Sequence, residues 1–182
     1  SEEIKKHVNI PVATVARINE PWMAEELIAN EKCDMCMIGR PNLCDSEFAN
    51  KAFEGKVDDI RPCIGCGRCL TGIMMGKRIG CTVNPSVEDD TIAPATDKKK
   101  VLVIGGGPAG MEAAYVAKKR GHEVVLCEKS NELGGQLRLA AVPIAKQELC
   151  KVIKFMIRRL DHEGIEVRLN TEVTKEMLEN EF

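Results

Sequence analysis

The sequence has no apolar segment near the roughly 20 residues that a membrane-spanning helix requires, and no recognisable secretory signal at its start. Its charge is nearly balanced, with 26 basic and 28 acidic residues, and the basic residues form no long run. These absences argue against a membrane protein, a secreted protein and a nucleic-acid-binding protein. We therefore expect no membrane or nucleic-acid partner, and a cytoplasmic location.

Histidine, the side chain most often used as a general base near neutral pH, is scarce. The three histidines, His7, His122 and His162, lie in no motif that requires a base. We expect each of them at the surface or at a helix end. No catalytic residue is predicted among them.

Cysteine, in contrast, is abundant, with nine in 182 residues. An odd number without a secretory signal does not favour a disulfide-stabilised scaffold, so metal or redox chemistry is the better interpretation. Four cysteines follow the pattern C-x2-C-x2-C-x11-C, namely Cys63, Cys66, Cys69 and Cys81. This pattern predicts the four thiolate ligands of a 4Fe-4S cluster.

The first three of these cysteines are expected on one tight loop, where Gly65 and Gly67 allow backbone amides to turn toward bound sulfur. A structural zinc ion also accepts four cysteines and remains an alternative. Zinc ligands, however, usually occur as two separated C-x2-C pairs, not as a triplet with a distant fourth member. The pattern therefore favours the cluster over zinc.

The remaining cysteines are interpreted as structural. Cys33 and Cys36 also form C-x2-C, but they lie on or beside an apolar strand, where successive side chains alternate, so we expect two small core residues. Cys44, Cys127 and Cys150 are isolated thiols without a motif.

The N-terminal quarter of the chain predicts two β/α units. The short apolar run 10–15 is followed by a helix that Pro21 can begin. A second strand, 36–38, ends at the break Gly39–Pro41, and another short helix is expected near Asp45. Two such units cannot cover their own apolar faces, so we expect the chain to be cut at both ends from a longer polypeptide.

A glycine-rich turn follows the apolar strand Val101–Ile104 and precedes the helix Met111–Lys119. In this context the pattern G-x-G-x-x-G predicts a dinucleotide site. Gly105 permits the tight turn, Gly107 lets the backbone approach a pyrophosphate, and Gly110 lets the helix pack on the strand.

The next strand, Glu123–Cys127, leads into Glu128, which lies where a carboxylate would hydrogen-bond an adenosine ribose. Its charge disfavours a 2'-phosphate, so the cofactor at this turn should be FAD or NAD, not NADP. A second glycine-containing stretch, Gly134-Gly135-Gln136, also has an exposed backbone, because glycine has no side chain. It suggests a second contact with the same cofactor, with Gly135 and Gln136 as binding residues.

Together these residues resemble the flavin oxidoreductases related to old yellow enzyme that carry an added iron-sulfur and FAD/NAD module: 2,4-dienoyl-CoA reductase, 2-enoate reductase and trimethylamine dehydrogenase. The resemblance covers essentially the whole chain. Its most specific stretches are Ile10–Asp45, including Arg17-Ile18-Asn19 and Ile38-Gly39-Arg40; Asp59–Cys66; Cys81–Pro85; and Gly134–Leu137 through Leu169–Thr171.

The resemblance implies an α/β chain with three parts. Residues 1–54 would be the C-terminal end of a TIM barrel that binds FMN, 55–95 the 4Fe-4S cysteine segment with a linker, and 96–182 the start of a Rossmann-like FAD/NAD(P)-binding domain. The FMN phosphate would lie on the loops after the last two barrel strands.

By position, the family's FMN phosphate site falls on four residues of this chain: Ala16, Arg17, Gly39 and Arg40. Arginine suits this role because its planar guanidinium can bind two phosphate oxygens. Without the resemblance, Arg17 and Arg40 would be interpreted as surface ion-pair residues. Both interpretations remain open at this point.

The resemblance also implies an enzyme: an NAD(P)H-dependent flavin oxidoreductase acting on CH–CH groups. NADH, bound outside this chain, would reduce FAD, and electrons would pass through the 4Fe-4S cluster to FMN, which reduces the activated C=C bond of an enoate or 2,4-dienoyl-CoA. The chain alone would be inactive, and a homo-oligomer is compatible with the sequence. Two alternatives remain, an amine dehydrogenase of the trimethylamine dehydrogenase type and a non-catalytic electron-transfer subunit.

Overall fold

The computed structural model describes residues 1–87 and 91–181, so residues 88–90 of the predicted cysteine segment and Phe182 lie outside the described part. The chain forms two compact units, Ser1–Asp90 and Thr91–Phe182. The cysteine segment thus belongs to the same unit as the two β/α repeats. Within the described residues, no helix is both long enough and apolar enough to cross a membrane.

The first unit contains the two predicted β/α repeats. Strands β1 (Ala13–Thr14) and β2 (Met35–Cys36) pair in parallel, and α2 (Pro21–Ala29) connects them. Pro21 occupies the first turn of α2, where a missing N–H group has no cost. Both strands are shorter than the apolar runs that predicted them: only two residues of each strand pair with the other strand.

Three further helices complete the N-terminal part of this unit: α1 (Glu2–Lys5), α3 (Arg40–Cys44) and α4 (Phe48–Phe53). The short helix expected near Asp45 is present as α3, but it begins at Arg40, inside the stretch where a break was expected, since a proline is tolerated in the first turn of a helix. Asp45 ends α3 and accepts hydrogen bonds from the backbone N–H groups of Glu47 and Arg61 at 3.0 and 2.7 Å. This carboxylate therefore joins α3 to the cysteine segment.

The cysteine segment has more regular structure than expected. A 3-10 turn at Val57–Asp59 precedes the cysteines, and helix α5 spans Arg68–Met74. Only Cys63 and Cys66 lie on the loop, whereas Cys69 lies in the first turn of α5, so the prediction of one loop for all three cysteines was wrong. Gly67, with φ of +76°, precedes α5 and gives the chain the left-handed turn that begins the helix.

The second unit is built on a three-stranded parallel sheet with the order β3-β4-β5. Its strands are β3 (Lys100–Ile104), β4 (Glu123–Cys127) and β5 (Glu166–Arg168), and its helices are α6 (Pro108–Lys119), α7 (Gln136–Ala140), α8 (Glu148–His162) and α9 (Lys175–Glu181). The α/β class predicted from the sequence is confirmed.

The core of the second unit lies between β4 and the helices α6 and α8. Four of the five β4 residues are buried, and α8 buries one face with five apolar side chains, Val152, Ile153, Phe155, Met156 and Leu160. Arg159 joins the helices: its guanidinium lies 2.7 Å from Glu112 and 3.5 Å from the ring centre of Tyr115. This packing holds the start of α6, and with it the glycine-rich turn, against the sheet.

Candidate functional site

The four cysteines of the predicted cluster site come together in space. All four line one cavity at the surface of the first unit, whose other walls are Arg40, Leu43, Ile64, Gly65, Gly67, Arg68, Thr82 and Val83. Cys69 is buried, Cys63 and Cys81 are half-buried, and Cys66 is exposed. Residues from α3, the loop, α5 and the following segment thus surround the same space.

The surroundings of these sulfurs fit a 4Fe-4S cluster. Backbone N–H groups donate hydrogen bonds to two of them, Gly65 to Cys63, and Val83 and Asn84 to Cys81. Hydrogen bonds of this kind stabilise the negative charge that thiolates share with iron. The apolar side chains of Ile64 and Val83 form part of the cavity wall.

A single zinc ion is the alternative occupant of these four sulfurs. Zinc–sulfur bonds of about 2.3 Å would require all four sulfurs to converge on one point. Within the described residues, no group of three or more Cys, His, Asp or Glu side chains is close enough to hold one metal ion. The assignment of the four cysteines as cluster ligands stays a prediction.

The acidities of two of these cysteines differ strongly. A hydrogen bond from the Cys44 thiol, helped by the backbone N–H groups of Asn84 and Val83, lowers the pKa of Cys81 to about 5 against the effect of burial. Burial raises the pKa of Cys63, although the N–H of Gly65 and the charge of Arg40 oppose this. Of these two cysteines, Cys81 is therefore the one that carries a thiolate more readily.

Cys44 is a residue of this site that the sequence analysis missed. It is fully buried at the end of α3, and its thiol contacts Cys81, which raises the pKa of Cys44. No pattern in the sequence indicates this contact, since Cys44 lies in no motif and belongs to α3, whereas Cys81 lies after α5. Cys44 is therefore not isolated, and its interpretation as a structural residue stays a prediction.

Cys33 and Cys36 are also closer than their alternation on a strand would allow. Their sulfurs lie 3.9 Å apart, because Cys33 precedes the two-residue strand β2 and is not part of it. Burial raises the pKa of Cys36, and Cys33 is almost completely buried. Cys33 agrees with the interpretation as a core residue, whereas Cys36 is only half-buried.

The predicted FMN phosphate residues lie at one edge of the small sheet. Ala16 and Arg17 follow β1, Gly39 and Arg40 follow β2, and the two strands are parallel neighbours. Ala16 and Arg17 both have positive φ, +102° and +51°, so this loop is a strained left-handed turn. The four residues stay predictions as phosphate ligands.

Both arginines of this edge also border the cysteine site. Arg40 lines the cysteine cavity. A methyl group on Gly65 would lie 3.5 Å from Nε of Arg17, so this guanidinium covers the cysteine loop. Asn19 contacts the same loop: its Nδ2 donates a hydrogen bond to the Cys63 carbonyl oxygen at 3.0 Å. The candidate phosphate edge and the candidate cluster site are therefore adjacent within the first unit.

The glycine-rich turn of the second unit has the geometry that the sequence predicted. Gly105 has φ of +100°, and Gly107 precedes α6, whose first residue is Pro108. A methyl group on Gly110 would overlap the carbonyl oxygen of Gly105, so only glycine allows this close packing. Beside Gly107 there is open space, as a phosphate approach requires.

The second glycine pair packs directly on the first. The N–H of Gly134 donates a hydrogen bond to the carbonyl oxygen of Gly106 at 2.8 Å. A methyl group on Gly135 would lie 3.2 Å from Cα of Gly107. Gln136, the first residue of α7, is exposed beside them. The structure thus brings together the two glycine motifs, although their roles in cofactor binding stay predictions.

Glu128 lies at the carboxyl end of β4, beside the first glycine motif. One carboxylate oxygen accepts a hydrogen bond from the N–H of Gly106 at 2.6 Å, and the other accepts two from Ser130, from its N–H and its hydroxyl, both at 2.8 Å. The bonds from Ser130 and Gly106 lower the pKa of Glu128. Glu128 therefore holds the turn as an anion, and its role as a ribose ligand stays a prediction.

Replacing Glu128 by glutamine should destabilise the second unit by about 2 kcal/mol at pH 7, because hydrogen bonds to a charged acceptor are lost. The folded-state pKa is lowered from 4.5, so this stabilisation is complete above pH 4.5 and is lost as pH falls through the folded pKa. Denaturant unfolding as a function of pH checks both points. A difference from wild type that stayed constant into acid would contradict this role, and Glu123→Gln, at an exposed position on β4, is the control.

The glycine turn between β3 and α6, with an acidic residue directly after the next parallel strand, is the arrangement typical of Rossmann-like dinucleotide-binding folds. The comparisons with known proteins agree. Residues 100–179 match the family described as FAD dependent oxidoreductase.

Three similar proteins extend the comparison to nearly the whole chain. The NADH oxidase of Thermoanaerobacter brockii is 45% identical over 174 residues, covering 92% of this chain and 27% of that protein. The cinnamate reductase of Clostridium sporogenes is 39% identical over 180 residues, covering 97% of this chain and 27% of that protein. The solved structure of a 2-naphthoyl-CoA reductase with 2-naphthoyl-CoA superposes with a TM-score of 0.89 at 35% identity, covering 96% of this chain and 27% of that one.

These matches confirm the resemblance drawn from the sequence. The chain belongs to the flavin oxidoreductase family that includes 2,4-dienoyl-CoA reductase and trimethylamine dehydrogenase. It spans about a quarter of the length of the relatives it matches.

Proposed function

We propose that this chain is the electron-transfer part of an iron-sulfur flavoenzyme that takes electrons from NAD(P)H and reduces an activated C=C bond. The observation that carries the proposal is the adjacency of two sites in the first unit. The cavity lined by four cysteines shares Arg40 with the edge of the sheet where an FMN phosphate would bind. A cluster and a flavin held there would lie close enough for electron transfer.

The three parts of the chain would then have distinct roles. Residues 1–54 would be the last two β/α units of an FMN-binding TIM barrel, which the parallel pairing of β1 and β2 supports. Residues 55–95 would hold the 4Fe-4S cluster, and 96–182 would begin the FAD-binding domain. When bound, the flavins and the cluster would supply the conversion between two-electron and one-electron transfer.

The residues of the chain would bind and orient these groups. Arg17 and Arg40 would neutralise the FMN phosphate, and the N–H groups at the start of α6 would face the FAD pyrophosphate. Glu128 would accept a hydrogen bond from the ribose, while its bonds to Gly106 and Ser130 keep it ionised. The backbone N–H groups beside Cys63 and Cys81 would stabilise the charge of the cluster.

The proposed substrate is an enoate or an enoyl-CoA. Two similar proteins support this proposal: one is named a cinnamate reductase, and the other is a 2-naphthoyl-CoA reductase in complex with 2-naphthoyl-CoA. Cinnamate is an unsaturated carboxylate, and 2-naphthoyl-CoA is the thioester of an unsaturated carboxylic acid. The NADH oxidase relative supports NADH as the electron donor. None of the predicted site residues of this chain is proposed to protonate the substrate.

Anaerobic reduction tests the proposal. The full-length holoprotein to which this chain is proposed to belong is mixed with NADH, and flavin absorbance and the EPR signal of a reduced cluster are followed. Cinnamate is then added as a model enoate. We expect NADH to reduce both flavins and the cluster, and cinnamate to reoxidise them. If a tertiary amine reduced the flavins and NADH did not, electrons would flow in the direction of an amine dehydrogenase, and the reductase proposal would be wrong.

A further inference from the structure

The turn after β1, residues 16–19, contacts the loop that carries Cys63 at two points. Asn19 donates a hydrogen bond from Nδ2 to the Cys63 carbonyl oxygen at 3.0 Å. Two residues earlier in the turn, the Arg17 guanidinium lies against Gly65: a methyl group on Gly65 would lie 3.5 Å from Nε and 3.8 Å from Cζ of Arg17. The turn predicted to bind a phosphate and the loop predicted to bind a cluster are therefore in direct contact.

The contact made by Asn19 includes an unfavourable feature. Asn19 is only 8% exposed, and the bond to Cys63 fixes which way its amide faces, because only the amide nitrogen can donate to a carbonyl oxygen. The other amide atom, Oδ1, is buried, and among the described residues it accepts no hydrogen bond. A buried acceptor without a donor lowers stability. Stability alone therefore does not explain why asparagine occupies this position.

The backbone of the same turn is also unfavourable. Ala16 and Arg17 have φ of +102° and +51°, values that residues with a side chain rarely adopt. This conformation places Arg17 and Asn19 against the cysteine loop. A ligand that binds the turn in this conformation would offset the strain, and it would thereby stabilise both contacts with the loop.

We propose that Asn19 is a positioning residue that couples phosphate binding at the turn to cluster binding at the loop, so that FMN and the cluster bind cooperatively. This inference rests on the proposed function, because it requires both cofactors. Phosphate binding orders the turn, cluster binding orders the loop, and each event costs less entropy when the other has already occurred. Because such coupling is reciprocal, each cofactor increases the affinity for the other by the same factor.

The affinity for flavin with and without the cluster tests the coupling in the full-length protein to which this chain is proposed to belong. FMN is removed and then titrated anaerobically into protein that retains the cluster and into protein from which an oxidant and a chelator have removed it. We expect FMN to bind about tenfold more tightly when the cluster is present, within the usual range of such couplings. Riboflavin lacks the phosphate, so its affinity should be the same in both preparations.

The variant Asn19→Ala tests the residue itself. Arg17 is less suitable, because it is a predicted phosphate ligand and its replacement would weaken FMN binding directly. In Asn19→Ala we expect the tenfold ratio to fall close to one, with an unchanged affinity for riboflavin. Asn30→Ala is the matched control and should keep the wild-type ratio. Asn30 is exposed at the end of α2, and its Nδ2 donates to the Glu26 carbonyl oxygen at 2.7 Å.

The outcomes separate this inference from the proposed function. A wild-type protein that holds no FMN or no cluster would overturn both. A protein that holds both cofactors, but binds FMN equally well with and without the cluster, would overturn the coupling alone. The coupling through the phosphate would also be wrong if the cluster raised the affinities for riboflavin and FMN by the same factor.

A wild-type ratio in Asn19→Ala, or an equal loss of the ratio in Asn30→Ala, would overturn the role of Asn19. If Asn19→Ala does not fold, Asn19→Ser takes its place, because the serine hydroxyl is too short to reach the Cys63 carbonyl oxygen. The same loss of the ratio is expected there. The comparison of FMN with riboflavin in the wild-type protein needs no variant and decides the coupling by itself.

Discussion

Replacement of Cys81 by alanine is expected to remove nearly all iron and acid-labile sulfide from the protein and to abolish electron transfer from NADH to an enoate. Cys81 has the lowered pKa, about 5, because Cys44 and two backbone N–H groups stabilise its thiolate. Without this ligand, a 4Fe-4S cluster loses one of its four attachments. Iron and sulfide analysis together with the EPR signal after dithionite measures the loss.

The matched control for Cys81→Ala is Cys150→Ala, at an exposed cysteine of the second unit. This variant should keep its iron, its sulfide and its rate of NADH-dependent enoate reduction. NADH should still bleach FAD in the Cys81 variant, since the glycine turn belongs to the other unit. A Cys81→Ala protein with the wild-type iron and sulfide content would show that Cys81 is not a ligand.

The second large effect is expected at the glycine turn, where two glycines should respond differently to alanine. At Gly110 the added methyl group would overlap the Gly105 carbonyl oxygen, so the helix must move from the strand, at a cost of about 3 kcal/mol. At Gly107 the methyl group meets no protein atom within 4 Å. The protein should tolerate Gly107→Ala, but the methyl group would occupy the space of the pyrophosphate.

Thermal unfolding and FAD content distinguish the two variants. We expect Gly110→Ala to unfold at a lower temperature and to lose FAD with its fold. Gly107→Ala should unfold near the wild-type temperature in the absence of FAD, and bind FAD about tenfold more weakly or worse, which corresponds to about 1.4 kcal/mol. If Gly107→Ala bound FAD as tightly as wild type, the pyrophosphate would not approach the backbone at this turn.

Local patterns predicted the second unit well. Strand β4 has the bounds that its apolar run indicated, and the helix after the glycine turn begins at Pro108, three residues before its expected start. This agreement has a physical reason. The tight turn, the start of the helix and the alternation of the strand depend on neighbouring residues, so their signal is local.

The contacts between distant segments could not be predicted in the same way. Cys44 lies in α3 and its partner Cys81 lies after α5, and no sequence period connects them. Gly134 likewise bonds to Gly106 across a complete β/α unit. Such contacts depend on the packing of whole elements, which a single sequence does not specify through local preference.

Short elements were the other source of error. Arg40–Cys44 forms a helix of five residues where a break was expected, and β1 and β2 each pair over only two residues. In elements of this length, the hydrogen bonds to neighbouring segments determine the structure more than the intrinsic preference of the residues. The four cysteines were found from spacing alone, because four thiolates at these intervals have few other uses.

The central claim is that Cys63, Cys66, Cys69 and Cys81 hold a 4Fe-4S cluster. The most direct test is to measure iron, acid-labile sulfide and zinc per polypeptide in protein purified without oxygen, with an EPR spectrum after dithionite. The account predicts about four irons and four sulfides, no zinc, and an S = 1/2 signal. One zinc ion without sulfide would contradict it, and the chain would then be a nucleotide-binding protein with a zinc-stabilised segment.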